Sequence, residues 1–184
     1  MEIVPNIRHG YFIYEYFTVA RSFFFIGLLW GLSFFAQANF SVTQIAREPS
    51  LRHELEANLD RLVERAHELI GVPYRWGGMT VKGGFDCSGL LVYLFRNEAD
   101  IRIPRTTAAM LQSGARTIKQ HQLKRGDAVF FNRNGQGRIG HVGLYIGEGR
   151  FIHAPRTGKN IRIDSLRSSY WSKSYMTAKR FHGG

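Results

Sequence analysis

The hydrophobic pattern of this 184-residue chain changes period near residue 127, and that change limits what it can fold into. Upstream, apolar residues recur at helical spacing. Downstream, "DAVFF", "HVGLYIG", "RFIHA" and "IRIDSL" are short runs rich in β-branched and aromatic residues, separated by glycine-bearing turns. These read as strands, with "MTAKRF" as a last one. In the upstream part, "SLRHELEANLDRLVERAHELIG" sets Leu51, Leu55, Leu59, Leu62, Val63, Ala66, Leu69 and Ile70 on one helical stripe. Ser50 is the expected N-cap, and Gly71 with Pro73 is the stop signal. "SGLLVYLFRNE" predicts a helix buried on most sides, and "IPRTTAAMLQSGARTI" includes another short one. Helices first and an antiparallel sheet afterwards predict an α+β domain.

The first residues stand apart from that domain. Arg21 precedes "SFFFIGLLWGLSFF", an uncharged apolar run of roughly 14 residues that leads into "AQA". A bilayer core needs roughly 20 apolar residues. The run therefore reads as the hydrophobic stretch of a secretory leader cleaved after Ala38, with an uncleaved anchor as the alternative. Residues 1–38 are the expected signal peptide, 39–49 a short tether and 50–184 the domain. The lone cysteine lies far from the cleavage site and offers no lipid acceptor there. The mature chain is thus expected to be exported, periplasmic or secreted, neither a lipoprotein nor stably inserted in a membrane.

Lys and Arg number 25 against 14 Asp and Glu, a formal charge of +11. Basic surfaces attract polyanions. The cations are scattered, however, without the aromatic interleaving or helix-turn-helix pattern of a nucleic-acid binder. No nucleic-acid partner is expected, and cell-wall polymers carrying carboxylates and phosphates suit an exported chain better. A monomer is expected. With one cysteine and no C-x-x-C spacing, packing rather than disulfides or structural zinc must hold the fold.

That cysteine, Cys87, sits in "YRWGGMTVKGGFDCSGLLVYLF", where a glycine-rich loop turns into a helix. A lone cysteine is commonly a small buried hydrophobe. The glycines before and after it argue for more, because they let backbone or ligand approach closely. A thiol attacks as thiolate, which a helix N-terminus and a cationic imidazole both favour. His53 and His67 fall among charged residues of the first helix and read as surface histidines. His141 and His153 flank a predicted hairpin in "GHVGLYIGEGRFIHAP". A three-residue turn at Gly147–Gly149 sets Gly143 opposite His153 and puts both histidines on one face. A two-residue turn at Glu148–Gly149 separates them; the odd length is the expected one. Cys87, His141 and His153 then form nucleophile, base and orienting group. The Cys87 backbone N–H, helped by the Tyr74 hydroxyl, is the expected oxyanion site. Trp76 is read either as a core anchor or as a substrate platform.

The blocks "VPYRWGG…FDCSGLLVYLF", "IPRTT", "LKRGDAVFF" and "HVGLYIGEGRFIHA" strongly resemble the NlpC family of bacterial cell-wall cysteine peptidases, in order from about Leu62 to Leu166. The resemblance implies a papain-like fold with the cysteine helix packed on an antiparallel sheet. It implies the stem peptide of peptidoglycan as substrate, cut between D-glutamate and a diamino acid, and no cofactor or metal. It assigns the nucleophile to Cys87, the base to His141, the third group to His153 and the assisting tyrosine to Tyr74. Asp86 and Ser88 fall where members hold the free amino end of the stem peptide. Arg105 and Thr106 line the cleft or serve the structure.

Three other readings stay open. One thiolate and two imidazoles make a three-ligand zinc set, though without the carboxylate of an H-E-x-x-H site. The same triad serves amidase or acyl-transfer chemistry. A wall-binding protein that has kept the fold without catalysis is the third.

Overall fold

The computed structural model describes residues 49–132 and 139–182. The expected leader and nearly all of the expected tether lie outside the described residues, and the compact unit that begins at Leu51 is the one that follows. No helix among the described residues is long and apolar enough to cross a membrane.

Six strands form one antiparallel sheet: β3 (Arg116–Ile118), β4 (Ala128–Asn132), β5 (Ile139–Gly147), β6 (Arg150–His153), β7 (Arg162–Ser165) and β8 (Tyr175–Arg180). Their order is β3-β8-β4-β5-β6-β7, so the last strand returns to lie between β3 and β4. The helices are α1 (49–68), α2 (Cys87–Ala99), α3 (Thr107–Gln112) and α4 (Ser169–Ser174). A two-stranded ribbon, β1 (Met79–Thr80) with β2 (Gly84–Phe85), leads into α2. α1 is already helical at residue 49, so Ser50 lies inside it and does not cap it. Its stripe is buried at Leu62, Val63, Ala66 and Leu69, while Leu51 and Ile70 are exposed at its two ends.

The two sheet faces bury different partners. Ala128, Phe130, Val142, Leu144 and Ile152 pack with α1 and with Leu90, Leu91, Leu94 and Phe95 of α2. Val129, Phe131, Phe151 and Ala178 face the other way and close over Leu166 and Trp171. Side chains alternate across a strand, and β4 is buried on both sides. This is why "DAVFF" reads as a continuous apolar run and not an alternating one. Fully burying one such Phe or Leu stabilises by about 1.5–3 kcal/mol.

The hairpin between β5 and β6 departs from expectation in its turn and agrees in its register. Gly147 pairs with Arg150, which leaves a two-residue turn at Glu148–Gly149. Both turn residues have positive φ, 54° and 74°, as the turn that matches strand twist requires. A bulge between Tyr145 and Gly147 then shifts the pairing to Tyr145↔Phe151 and Leu144↔Ile152. The inserted residue restores the odd offset. One step further along, Gly143 lies opposite His153, and a Cβ on Gly143 would stand 3.3 Å from that of His153. His141 and His153 therefore share a face, the one occupied by Phe131, Phe151 and Trp171.

Asp127 locks β4 to β8. Its fully buried carboxylate meets Arg180 Nε and Nη2 at 2.7 Å each and accepts the Lys124 backbone N–H at 2.8 Å. Removing one partner of a buried pair strands the other charge, at a cost of about 3–5 kcal/mol. Asp127→Ala is expected to lower the unfolding free energy by about that amount in urea titrations. A loss below about 1 kcal/mol would place the pair among weak surface bridges.

Candidate active site

Cys87 is the first residue of α2, and Asp86 caps that helix, its Oδ1 accepting the Gly89 N–H at 2.6 Å. The preceding loop is sewn onto the cap. Arg75 N–H donates to Phe85 O at 2.9 Å, Phe85 N–H to Pro73 O at 3.2 Å, and Asp86 N–H to Gly78 O at 3.1 Å. A Cβ on Gly89 would land on the Gly78 carbonyl oxygen. The flanking glycines thus serve close backbone packing around the helix terminus. Tyr74 is buried, bridged to Phe85, and so held one strand position from the Asp86–Cys87 corner.

The thiol faces α3 and β5. Cys87 Sγ lies 3.8 Å from Thr107 Oγ1, and the Val142 backbone N–H points at the sulfur. Burial pushes the Cys87 thiol above its ordinary value, against the pull of Thr107 and of the Val142 and Ser88 backbone groups. The helix terminus alone, expected to favour a thiolate, is outweighed by desolvation.

Both imidazoles are fully buried. His141 Nε2 and His153 Nδ1 are 2.7 Å apart, and His153 Nε2 reaches Asp164 Oδ2 at 3.0 Å. Asp164 sits on β7, paired with Phe151 of β6, which puts it on the histidine face. Its Oδ2 also accepts Trp171 Nε1–H at 2.8 Å and Arg162 Nη2–H at 2.8 Å. Burial pushes this carboxyl up, but His153, Arg162 and Trp171 hold it well below the usual carboxylate range. Trp171 stacks on His141 at 5.6 Å between centroids and meets His153 edge-on at 5.0 Å. With Nε2 of His141 and Nδ1 of His153 turned on each other, the two rings do not converge on a common metal position. Among the described residues no group of three or more His, Cys, Asp or Glu is arranged to hold a metal ion.

The expected substrate-holding residues turn out to be engaged with one another. Asp86 accepts Arg105 Nη2–H at 2.7 Å, Ser88 Oγ–H at 3.1 Å and Gly77 N–H at 3.0 Å, besides its cap bond. Ser88 is buried and takes Arg105 Nη1–H at 2.8 Å. Arg105 is the ion-pair partner of Asp86, and Thr106 caps α3 by accepting Ala109 N–H at 3.2 Å. The hydroxyl beside the thiol belongs to Thr107. Trp76 is 90% exposed, which removes its core-anchor reading. Asp164, Trp171 and Thr107 were not singled out from sequence. A hollow of about 410 Å³ opens beside Asp164 and Trp171, lined also by Arg156, Lys159, Arg162 and Tyr170, and it does not include Cys87.

With this arrangement in view, residues 71–180 match the sequence profile of the NlpC/P60 family. The chain belongs to that family. It is 49% identical over 112 residues to murein DD-endopeptidase MepH of Escherichia coli (strain K12), covering 60% of this chain and 41% of that protein. It is 39% identical over 120 residues to the gamma-DL-glutamyl hydrolase of Bacillus subtilis (strain 168), covering 65% and 29%. This NlpC/P60 chain thus spans less than half the length of both. An NlpC/P60 family protein from Bacillus cereus superposes with a TM-score of 0.63 at 32% identity, covering 68% of this chain and 40% of that one. The NlpC/p60 domain of peptidoglycan hydrolase SagA gives 0.57 at 30% identity, with 66% and 97% covered. The expected papain-like α+β fold is the one observed.

Asp86, Asp127 and Asp164 all have lowered folded-state pKa values. A depressed carboxyl contributes stability above its unfolded value of about 3.9, and that stability is lost as pH falls through the folded value. The stability these carboxylates contribute is expected to be full above about pH 5 and to drop steeply below about pH 4 in thermal unfolding. A melting temperature that stays level down to about pH 2 would contradict the three pairings.

Proposed function

We propose that the chain is an exported cysteine endopeptidase acting on the peptides of peptidoglycan. The observation that carries this reading is the seating of the sole cysteine on a capped helix terminus against Val142, next in sequence to a histidine bonded to a second histidine. Cys87 is the nucleophile, His141 the base and His153 the orienting group. His141 Nε2 faces His153, so Nδ1 is the nitrogen that takes the thiol proton. Because burial raises the thiol, that proton moves as the sulfur attacks rather than beforehand. The sulfur bonds to the scissile carbonyl carbon, and the oxyanion accepts hydrogen bonds from the Cys87 N–H and the Tyr74 hydroxyl. Collapse breaks the C–N bond, and His141 returns its proton to the leaving amine. Water, deprotonated by His141, then hydrolyses the thioester and regenerates the thiol.

A wall substrate fits the apolar leader pattern, the +11 charge and relatives named for murein and peptidoglycan. The bond first expected is the one between D-glutamate and the diamino acid, with Asp86 and Ser88 holding a free amine. Two observations favour a second reading, cleavage of the D,D crosslink between stems. The Asp86 carboxylate is already spent on Arg105, Ser88, Gly77 and Gly89, and relatives at 49% and 38% identity are named murein DD-endopeptidases.

Digestion of purified peptidoglycan by residues 39–184, beside Cys87→Ala, tests both parts. Crosslinked dimers converted to monomers are the product of D,D cleavage; fragments ending in a D-glutamate γ-carboxyl mark the other bond. Cys87→Ala is expected to lower the rate by at least about 10⁴-fold. Stem peptides released whole from the glycan would make the chain an amidase instead. Equal cleavage by both proteins would remove Cys87 from the chemistry.

A further inference from the structure

We infer that Asp164 is a positioning residue for the two histidines: its carboxylate sets the tautomer of His153 and, through it, that of His141, so that His141 presents an unprotonated Nδ1 to Cys87. The inference rests on the assignment of Cys87 and His141 as nucleophile and base, and it concerns a residue outside the Cys-His-His set.

The derivation is one of donors and acceptors. An ionised carboxylate only accepts hydrogen bonds. Across the 3.0 Å contact to Asp164 Oδ2, His153 Nε2 must therefore carry the proton. A neutral imidazole has one N–H and one bare nitrogen, so His153 Nδ1 is the acceptor. Across the 2.7 Å contact, His141 Nε2 must then be the donor. That leaves the lone pair of His141 on Nδ1, the form able to take a thiol proton. Reverse the proton on His153 and the whole chain inverts: His153 Nδ1–H donates to His141 Nε2, and His141 Nδ1 becomes an N–H that cannot act as base.

Asp164 is built to stay an acceptor. Its Oδ2 also receives Trp171 Nε1–H, and Arg162 Nε lies 3.2 Å from both carboxylate oxygens. These donors keep it ionised and stop it turning from His153. Trp171 in turn stacks on His141, so one side chain fixes both ends of the chain. Both imidazoles are fully buried, so the contact with Asp164 is what selects between the two tautomers.

The test uses the mature protein, with nitrogen-15-labelled histidine, as wild type, Asp164→Asn and Asp164→Ala. Asn keeps the shape, but its amide can accept from or donate to His153, so it no longer imposes one tautomer. In the wild type, His141 and His153 are expected to carry protons on Nε2 and bare Nδ1 atoms. Asp164→Asn is expected to give a mixture, with His141 Nδ1–H populated. Its kcat on peptidoglycan fragments should fall by about 10²-fold with KM within about threefold. Asp164→Ala is expected to go further in the same direction; should it fail to fold, Asp164→Asn decides alone. Unchanged His141 tautomers in a folded variant would overturn the inference, even if activity fell, because the loss would then be structural. The nuclear resonance readout needs no turnover. A wild type with the expected tautomers but no Cys87-dependent hydrolysis would sink the proposed function and leave the positioning role standing.

Discussion

Two fully buried imidazoles are the constraint around which this domain is organised. A polar group taken out of water costs free energy unless it is hydrogen-bonded. Here the cost is met by a chain of short contacts running from His141 through His153 to Asp164, with Trp171 and Arg162 closing its far end. Each contact depends on a feature of the sheet. The bulge in β5 keeps His141 and His153 on one face. Gly143, between them, leaves space that a side chain would fill, since a Cβ there would press on Phe151 at 2.6 Å. The β6–β7 register brings Asp164 to the same face. Aromatic rings of Phe131, Phe151 and Trp171 pack around the group.

The cysteine is governed by a different balance. α2 packs on the opposite face of the sheet, and its N-terminus brings Cys87 to β5 at Val142. The helix end favours a thiolate, but burial disfavours it more. In the proposed reaction such a thiol needs a base to remove its proton, and His141 is the base proposed.

Much of this was legible in the sequence because local patterns carried it. The change of period gave the α+β class, the glycine-flanked Cys87 gave the helix terminus, and the spacing of His141 and His153 gave a shared face. The turn itself was misread. A two-residue turn plus a bulge and a three-residue turn produce the same offset, and the residues alone do not separate them. Asp164 was not legible for a stronger reason. The alternation in "IRIDSL" puts Arg162 and Asp164 on the face opposite Ile161 and Ile163. Which face meets the histidines depends on the register across the 155–161 connection, a long-range fact. Asp86, Ser88 and Arg105 were expected beside the substrate; the structure shows them bonded to one another, because a helix cap beside an arginine engages a carboxylate locally.

The central claim, that Cys87 depends on His141 for its reactivity, is tested most directly by the pH profile of alkylation. Cys87 is the sole cysteine, so iodoacetamide reports on it alone. Wild-type protein is expected to react at neutral pH, and His141→Ala only as pH rises past the ordinary thiol value of about 8.5. Superimposable profiles for the two proteins would mean that the imidazole does not take the thiol proton, and the account of the site would fail.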